Sequence, residues 1–288
     1  MSSTFLVVPQ WQGSGSSRAM RLVEGAEAIR ADLPTAATRV IDVPLEAGDS
    51  EGTGILRYSS IRLVRERLER ELAELDTTPI IIGGDCGVEY AGIEHAARAG
   101  RAIVLWADAH ADLNTPETSP SKAFHGMVLR SLIDAGVVAA PDVLLLGVRD
   151  LDDAEAQFIE SAGMPRVQPE EVGERLAERI AAAHADGAEQ VALYVHIDLD
   201  VLDPSVFGGV GFPAPFGLTL EQLTSAVTAA RAHLPVTGAG LTEFAPAPAR
   251  ESVPGDSAGA TDDDLDDGGG AAGDALTVIL RILAALSR

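Results

Sequence analysis

Short apolar runs alternate along the chain with longer amphipathic stretches. The segments "TFLVVPQ", "TRVIDVP", "PIIIGGD", "AIVLWADAH", "VLLLGVRD", "VALYVHIDLD" and "PVTGAGLTEF" are apolar at consecutive positions. Strands buried on both faces read this way, whereas a half-exposed strand alternates. Between them, "SSIRLVRERLERELAELD", "PEEVGERLAERIAAAHADG" and "TLEQLTSAVTAARAHL" repeat their apolar residues at helical spacing, with Thr or Pro near the starts. The closing "ALTVILRILAALSR" reads as a last helix packed on the sheet. This β-α-β-α order predicts an α/β protein of three layers, αβα, with a mostly parallel central sheet and helices on both faces. No linker divides the pattern, so residues 1–288 are read as one domain. The exception is "ARESVPGDSAGATDDDLDDGGGAAGDA", rich in Gly, Ser and Asp, with an acidic cluster from Asp262 to Asp267. It reads as a solvated loop.

Composition narrows the function classes. With 288 residues, 46% of them hydrophobic, the chain can bury a substantial core. A formal charge of −23 opposes nucleic-acid binding, which needs cations to displace phosphate counterions. Acidity favours a cationic ligand or a metal, although net charge also serves solubility. No apolar run approaches the roughly 18 to 20 residues that span a bilayer, so no membrane association is expected. The single cysteine, Cys86, excludes an internal disulfide. The start of the chain lacks a basic segment followed by an apolar export stretch. Both point to the cytoplasm.

Parallel sheets place their chemistry just beyond the carboxyl ends of their strands. After "AIVLW" come Asp108, His110 and Asp112, and after "VALYV" come His196, Asp198 and Asp200. Residues two apart in extended chain project on one side, so Asp108 with His110, and Asp198 with Asp200, can each aim two groups at one point. One such pair alone is usually a turn or a helix cap. Two of them at strand ends of an acidic chain point to metal, because closely grouped carboxylates repel one another unless cations neutralise them. Two ions suit the number of donors.

These residues resemble the ureohydrolases, the family that includes arginase, agmatinase and formimidoylglutamase. "GGDCGVEY" is similar to its Gly-Gly-Asp-His motif, "DAHADLNTP" with "FHGM" to its second, "HIDLDVLDPSVFGGVGFPAPFGLT" to its third, and "GLTEFAPA" to its Glu-bearing strand. The resemblance covers essentially the whole chain and implies an arginase-like αβα fold holding two Mn²⁺ ions. By position, Asp108 and Asp198 would bridge the ions, His110 and Asp200 would complete one, and Asp112 with Cys86 the other. Carboxylates and imidazole suit Mn²⁺. A water shared by two cations loses a proton near neutral pH and can attack a planar guanidino carbon. The resemblance further implies that Asp112 holds the nucleophile and passes its proton to the departing amine, that His125 shuttles protons, and that Glu243 binds the guanidinium. Asn114, Ser121 and Asp152 correspond to residues that hold an amino-acid head, so the implied partner is a small guanidino amino acid. Family members commonly form homo-oligomers.

The sequence departs from the arginase pattern in three places. Cys86 stands where the family has a histidine ligand, Phe212 where arginases carry a threonine, and Lys122 with Ala123 where they carry Gly-Asn. Sulfur is a softer donor than imidazole, so the ion beside Cys86 should bind more weakly and activate water less. A thiol that touches no metal is the alternative. A weaker site suits a less basic guanidine. The nearest resemblance within the family is to members that cleave Nω-hydroxy-L-arginine, which implies hydroxyurea and L-ornithine as products and a place in D-cycloserine-type antibiotic biosynthesis. Hydrolysis of L-arginine or another guanidino acid is the alternative, and a degenerate non-catalytic metal-binding homologue the second.

Overall fold

The computed structural model describes residues 3–247 and 267–287. Eight parallel strands form one sheet: β1 (Ser3–Val8), β2 (Thr38–Val40), β3 (Thr78–Gly83), β4 (Arg101–Ala107), β5 (Val143–Leu146), β6 (Arg166–Val167), β7 (Val191–Asp198) and β8 (Val236–Thr242). Their spatial order is β2-β1-β3-β8-β7-β4-β5-β6. The four strands whose ends carry the candidate chemistry, β3, β8, β7 and β4, are therefore contiguous at the centre.

Side-chain alternation sorts the core into two faces. On β4 and β7, the odd positions Ile103, Leu105, Leu193, Val195 and Ile197 join one apolar cluster. That cluster includes residues of α1 (Arg21–Ala31), α6 (Val172–Ala185), α7 (Leu220–His233) and α8 (Asp267–Ser287). The even positions Val104, Trp106 and Tyr194 join the opposite cluster. There they meet α3 (Glu89–Ala97), α4 (Val128–Asp134) and α5 (Asp153–Ala162), with α2 (Tyr58–Ala73) beside α3 in a third cluster against β1 and β3. This is the expected αβα layering. Each fully buried Leu or Ile contributes about 1.5 to 3 kcal/mol relative to exposure. One buried carboxylate, Asp142 at the foot of β5, is matched by two cations: Arg101 Nε lies 2.6 Å from its Oδ2 and Arg179 2.5 Å from its Oδ1.

Some elements differ from the sequence reading. The strand expected over "TRVIDVP" pairs with β1 over Thr38–Val40 alone, at the sheet edge, and Pro44 has no N–H to offer a continuing ladder. α3 escaped the helical pattern because six of its nine residues, the charged Glu89 among them, are buried, leaving only a narrow polar edge to set a period. α5 is announced by a capping box, in which Asp152 accepts from Glu155 N and Glu155 reaches back to Asp152 N. The last helix begins earlier than expected, at Asp267. The acidic cluster at 262–267 lies outside the described residues apart from the backbone of its final member.

Candidate active site

The turn after β3 is built around Asp85. A Cβ at Gly84 would fall 1.6 Å from the Gln10 carbonyl oxygen, so only glycine lets the β1 and β3 ends approach this closely. The buried Asp85 carboxylate accepts from Gly13 N at 2.9 Å, Gly87 N at 2.9 Å and Gln10 Nε2 at 3.0 Å. Burial first, then the neighbouring Glu243, pushes its pKa up to about 6. Asp85 thus ties the loop after β1 to the segment that carries Cys86. The sequence motif contains it, but spacing alone gave no sign of this joining role.

From that frame Cys86 projects into the carboxylates. Its Sγ is 3.1 Å from Asp198 Oδ2 and 3.3 Å from Thr242 Oγ1, and its backbone N–H donates to Glu243 Oε1 at 3.3 Å. Burial and the adjacent Asp198 push the thiol well above its ordinary pKa. Across the site, His110 Nδ1 lies 3.0 Å from Asp200 Oδ2 and 3.5 Å from Asp108 Oδ1. Backbone donors complete the carboxylate shell: His110 N gives to Asp108 Oδ1, Ala109 N to Asp200 Oδ1, and Asp200 N to Asp198 Oδ1.

The charge pattern is that of a site built for a cation. Asp198 and Asp112 are held well above the ordinary carboxylate range by burial and by their carboxylate neighbours, and Asp200 is raised to about 6 by burial and Asp108. Asp108 goes the other way: burial would raise it, but the neighbouring His110 and His196 imidazoles lower it. His110 is raised, its contacts with Asp108 and Asp200 outweighing burial. Asp112 and Glu243 both adopt left-handed backbone, with φ of 53° and 64°, a conformation that costs non-glycine residues energy and clusters at functional sites.

The remaining predicted residues divide into two groups. His125 approaches Glu243, with Nδ1 3.4 Å from Oε1, while Gly15 N donates to its Nε2 at 3.3 Å. Phe212 faces His125 with ring centroids 5.4 Å apart. Asn114 and Asp152 meet directly, Nδ2 donating to Oδ2 at 2.8 Å, while the other Asp152 oxygen caps α5. Ser121 pairs instead with Ser119 Oγ at 3.2 Å and Ala123 N at 3.2 Å. Lys122, in left-handed backbone, turns its amine onto the Pro116 carbonyl. A cavity of about 80 Å³ opens beside Glu243, lined by Ser14, Ser16, Arg18, Val210 and Ala245 among others.

An arginase-family model matches residues 16–261 of this sequence. The chain belongs to the arginase family. Arginase from Staphylococcus aureus (strain MRSA252) is 30% identical over 230 residues, 72% of this chain and 74% of that protein. Arginase from Bacillus caldovelox is 31% identical over 243 residues, 73% of this chain and 76% of that protein. In fold, the chain is similar to Entamoeba histolytica arginase in complex with L-ornithine, with a TM-score of 0.76, 20% identity, and coverage of 99% and 97% of the two chains. Hydrolases of the arginase family act on guanidino C–N bonds and depend on a binuclear metal centre.

The residues of this arginase-family chain fit such a centre. Cys86, Asp198 and Glu243 offer ligand atoms within 4.8 Å of one another, as do Asp108, His110 and Asp200. A third group, Cys86, Asp108 and His196, overlaps the first two. Asp112 belongs to none of the three, yet its Oδ2 is buried without a hydrogen-bond partner among the described residues. A donor set of carboxylates with imidazole suits hard divalent ions, the thiol being the soft exception. The sequence places His196 after the same apolar run but assigns it no role, although the two-residue spacing that paired Asp198 with Asp200 also puts His196 on the face of Asp198. No helix among the described residues is long and apolar enough to cross a membrane.

Proposed function

We propose that the protein is a binuclear-manganese hydrolase of a guanidino amino acid, cleaving Nω-hydroxy-L-arginine to hydroxyurea and L-ornithine. The observation that carries this reading is the Cys86 thiol in the carboxylate cluster, 3.1 Å from Asp198, at a position where the resemblance implies an imidazole. In this reading Cys86, Asp108, His110, Asp112, Asp198 and Asp200 would hold the two ions. The ions, when bound, supply the charge that makes a water acidic near neutrality. A thiol donor weakens that supply, which favours an N-hydroxylated guanidine, less basic than arginine's own.

The chain's residues then divide the work. Glu243 accepts hydrogen bonds from the substrate guanidine and orients its planar carbon. Asp112 takes the proton that the attacking water gives up and delivers it to Nδ as the C–Nδ bond breaks, so that one water is consumed and ornithine leaves as the amine. His125 exchanges protons with solvent. Asn114 and Asp152, already hydrogen-bonded to each other, face the amino-acid head with Ser121. The reading takes residues 1–288 as one cytoplasmic domain, with roles for neither nucleic acid nor membrane, and is compatible with homo-oligomers. It places the reaction in the supply of hydroxyurea for antibiotic biosynthesis.

Hydrolysis of L-arginine is the second reading, favoured by the two arginases that are 30% and 31% identical. The test is kcat/KM for Nω-hydroxy-L-arginine, L-arginine and agmatine on one manganese-loaded preparation, with metal counted per chain. Preference for the hydroxylated substrate supports the first reading. Preference for L-arginine overturns it in favour of the second, and a metal-free, inactive protein overturns both.

A further inference from the structure

Beneath the carboxylate cluster lies a row of buried polar side chains that the proposed reaction does not use. Tyr194, His196 and Asp198 alternate along β7 and so share a face. In the sheet register, His196 lies between Trp106 of β4 and Gly240 of β8. His196 and Glu89 are both fully buried. The ring places Nε2 3.6 Å from Asp108 Oδ2 and Nδ1 3.4 Å from Glu89 Oε2. Trp106 stacks on the imidazole with centroids 3.7 Å apart, and donates its indole N–H to the same Asp108 oxygen at 3.2 Å.

Both nitrogens of His196, both oxygens of Glu89 and the Tyr194 hydroxyl are buried with no hydrogen-bond partner among the described residues. Buried groups of this kind are costly and uncommon unless something depends on them. The backbone is shaped to house them. A Cβ at Gly240 would fall 1.8 Å from Glu89 Oε1, and one at Gly92 2.3 Å from the Tyr194 hydroxyl. The row thus has a built cradle and a stacked imidazole whose Nε2 faces the Oδ2 atom of Asp108.

Carboxylates that ligate metals are themselves held by hydrogen bonds from behind, and that support sets their orientation and basicity. We propose that His196 and Glu89 are positioning residues for the metal centre: His196 steadies Asp108 Oδ2 and Glu89 fixes the imidazole on its far side. A carboxylate oxygen faces each ring nitrogen, so either tautomer can direct its N–H at one of them. Asp108 would then be presented to the ions with one oxygen hydrogen-bonded by Trp106 and faced by His196. This rests on the proposed role of Asp108 as a shared ligand of two ions.

The test compares wild type with Glu89→Gln, His196→Asn and the double variant. Manganese content and dissociation constants are measured by chelator competition, alongside the thermal midpoint of the metal-free proteins. Each single change is expected to raise a manganese dissociation constant about 10- to 100-fold. The double variant should resemble either single, because both act through one row, and kcat should fall with KM unchanged. Glu89→Gln preserves volume, so it reads the proposal even if His196→Asn does not fold. Unchanged manganese affinity in Glu89→Gln, with or without a lower thermal midpoint, would overturn the proposal while leaving the two-metal reading intact. Loss of an ion in His196→Asn with none in Glu89→Gln would also overturn it, making His196 a ligand in its own right. A wild type that binds no manganese would overturn the two-metal reading and this inference with it.

Discussion

Arg149 fastens the site to the rest of the sheet without touching a carboxylate. Its guanidinium donates to the carbonyl oxygens of Asp200 at 2.7 Å, Gly147 at 2.9 Å, Ala214 at 2.9 Å and Pro215 at 3.0 Å, with longer contacts to Val201 and Leu202. It makes no ion pair among the described residues, and burial lowers its pKa below the usual arginine value. Three chain segments, the end of β5, the turn after β7 and the loop at 214–215, are therefore held by one planar cation. A hydrogen bond from a charged donor contributes about 1.5 to 3 kcal/mol, and removing the donor strands the acceptors. Arg149→Met removes four bonds of 3.0 Å or less. Discounted for water access at this half-buried position and for non-additivity, the expected loss is about 3 to 5 kcal/mol. For a chain of this size that lowers the thermal midpoint by roughly 6 to 10 °C. Arg149→Lys keeps the charge but offers at most three donors without the planar fork, so it should lose about half as much. Urea titrations and thermal midpoints of the metal-free variants measure this. Because one bond ends on the Asp200 carbonyl, manganese affinity should weaken in the same order. A shift below about 2 °C in Arg149→Met would refute the reasoning, showing that water replaces the guanidinium without penalty.

Cys86→His restores an imidazole donor and is expected to tighten manganese by about tenfold and to raise kcat/KM on L-arginine relative to the N-hydroxylated substrate. No change in either quantity would place the thiol outside the metal's coordination. The pH dependence of the metal-free protein follows from Asp85 and Asp200, both raised to about 6, by burial first and by Glu243 and Asp108 respectively. The folded state then retains protons that the unfolded chain releases above about pH 4, so stability should fall as pH rises from about 4 through 6. One such carboxyl taken alone accounts for about 3 kcal/mol. Thermal midpoints of chelator-treated protein at pH 5 and pH 7 test the sign; a higher midpoint at pH 7 would contradict it, and added manganese should raise the midpoint more at pH 7.

The parts of the site that were legible in the sequence share one property: their residue type contradicts its surroundings in a regular way. Asp108, His110, Asp198 and Asp200 are polar residues at fixed two-residue spacing directly after apolar runs, and the sheet does place them on adjacent strand ends. The layering was legible for the same reason, since runs such as "PIIIGGD" and "VALYVHIDLD" exclude a half-exposed strand. What escaped was whatever depends on contact across the sheet. Asp85 joins the loop after β1 to the β3 turn through backbone N–H groups, and Arg149 binds only carbonyls; neither kind of partner has a side-chain signature. Ser121 looked equivalent to Asn114 and Asp152 as a loop residue, but its hydroxyl is engaged by Ser119 and the Ala123 N–H, whereas Asn114 and Asp152 face each other.

His196 shows that the donor at position 86 has a neighbour from another strand. In the sequence, Cys86 is the lone thiol where the family resemblance implies an imidazole, a position at which the site lacks a nitrogen donor. The sheet brings an imidazole back into the neighbourhood from another strand: His196 lies within 4.8 Å of the Cys86 and Asp108 ligand atoms. The two positions are 110 residues apart in the chain yet separated by β8 alone in the sheet, since β3 and β7 both flank it. A change of donor at 86 therefore cannot be judged at 86 alone. The electrostatic consequence of replacing imidazole by thiol includes whatever His196 and Glu89 do to Asp108 from below. If those residues set the orientation of Asp108, Cys86→His should change manganese affinity by different factors in wild-type and Glu89→Gln backgrounds. Equal factors in the two would mean that the thiol and the buried row act on the metal centre independently.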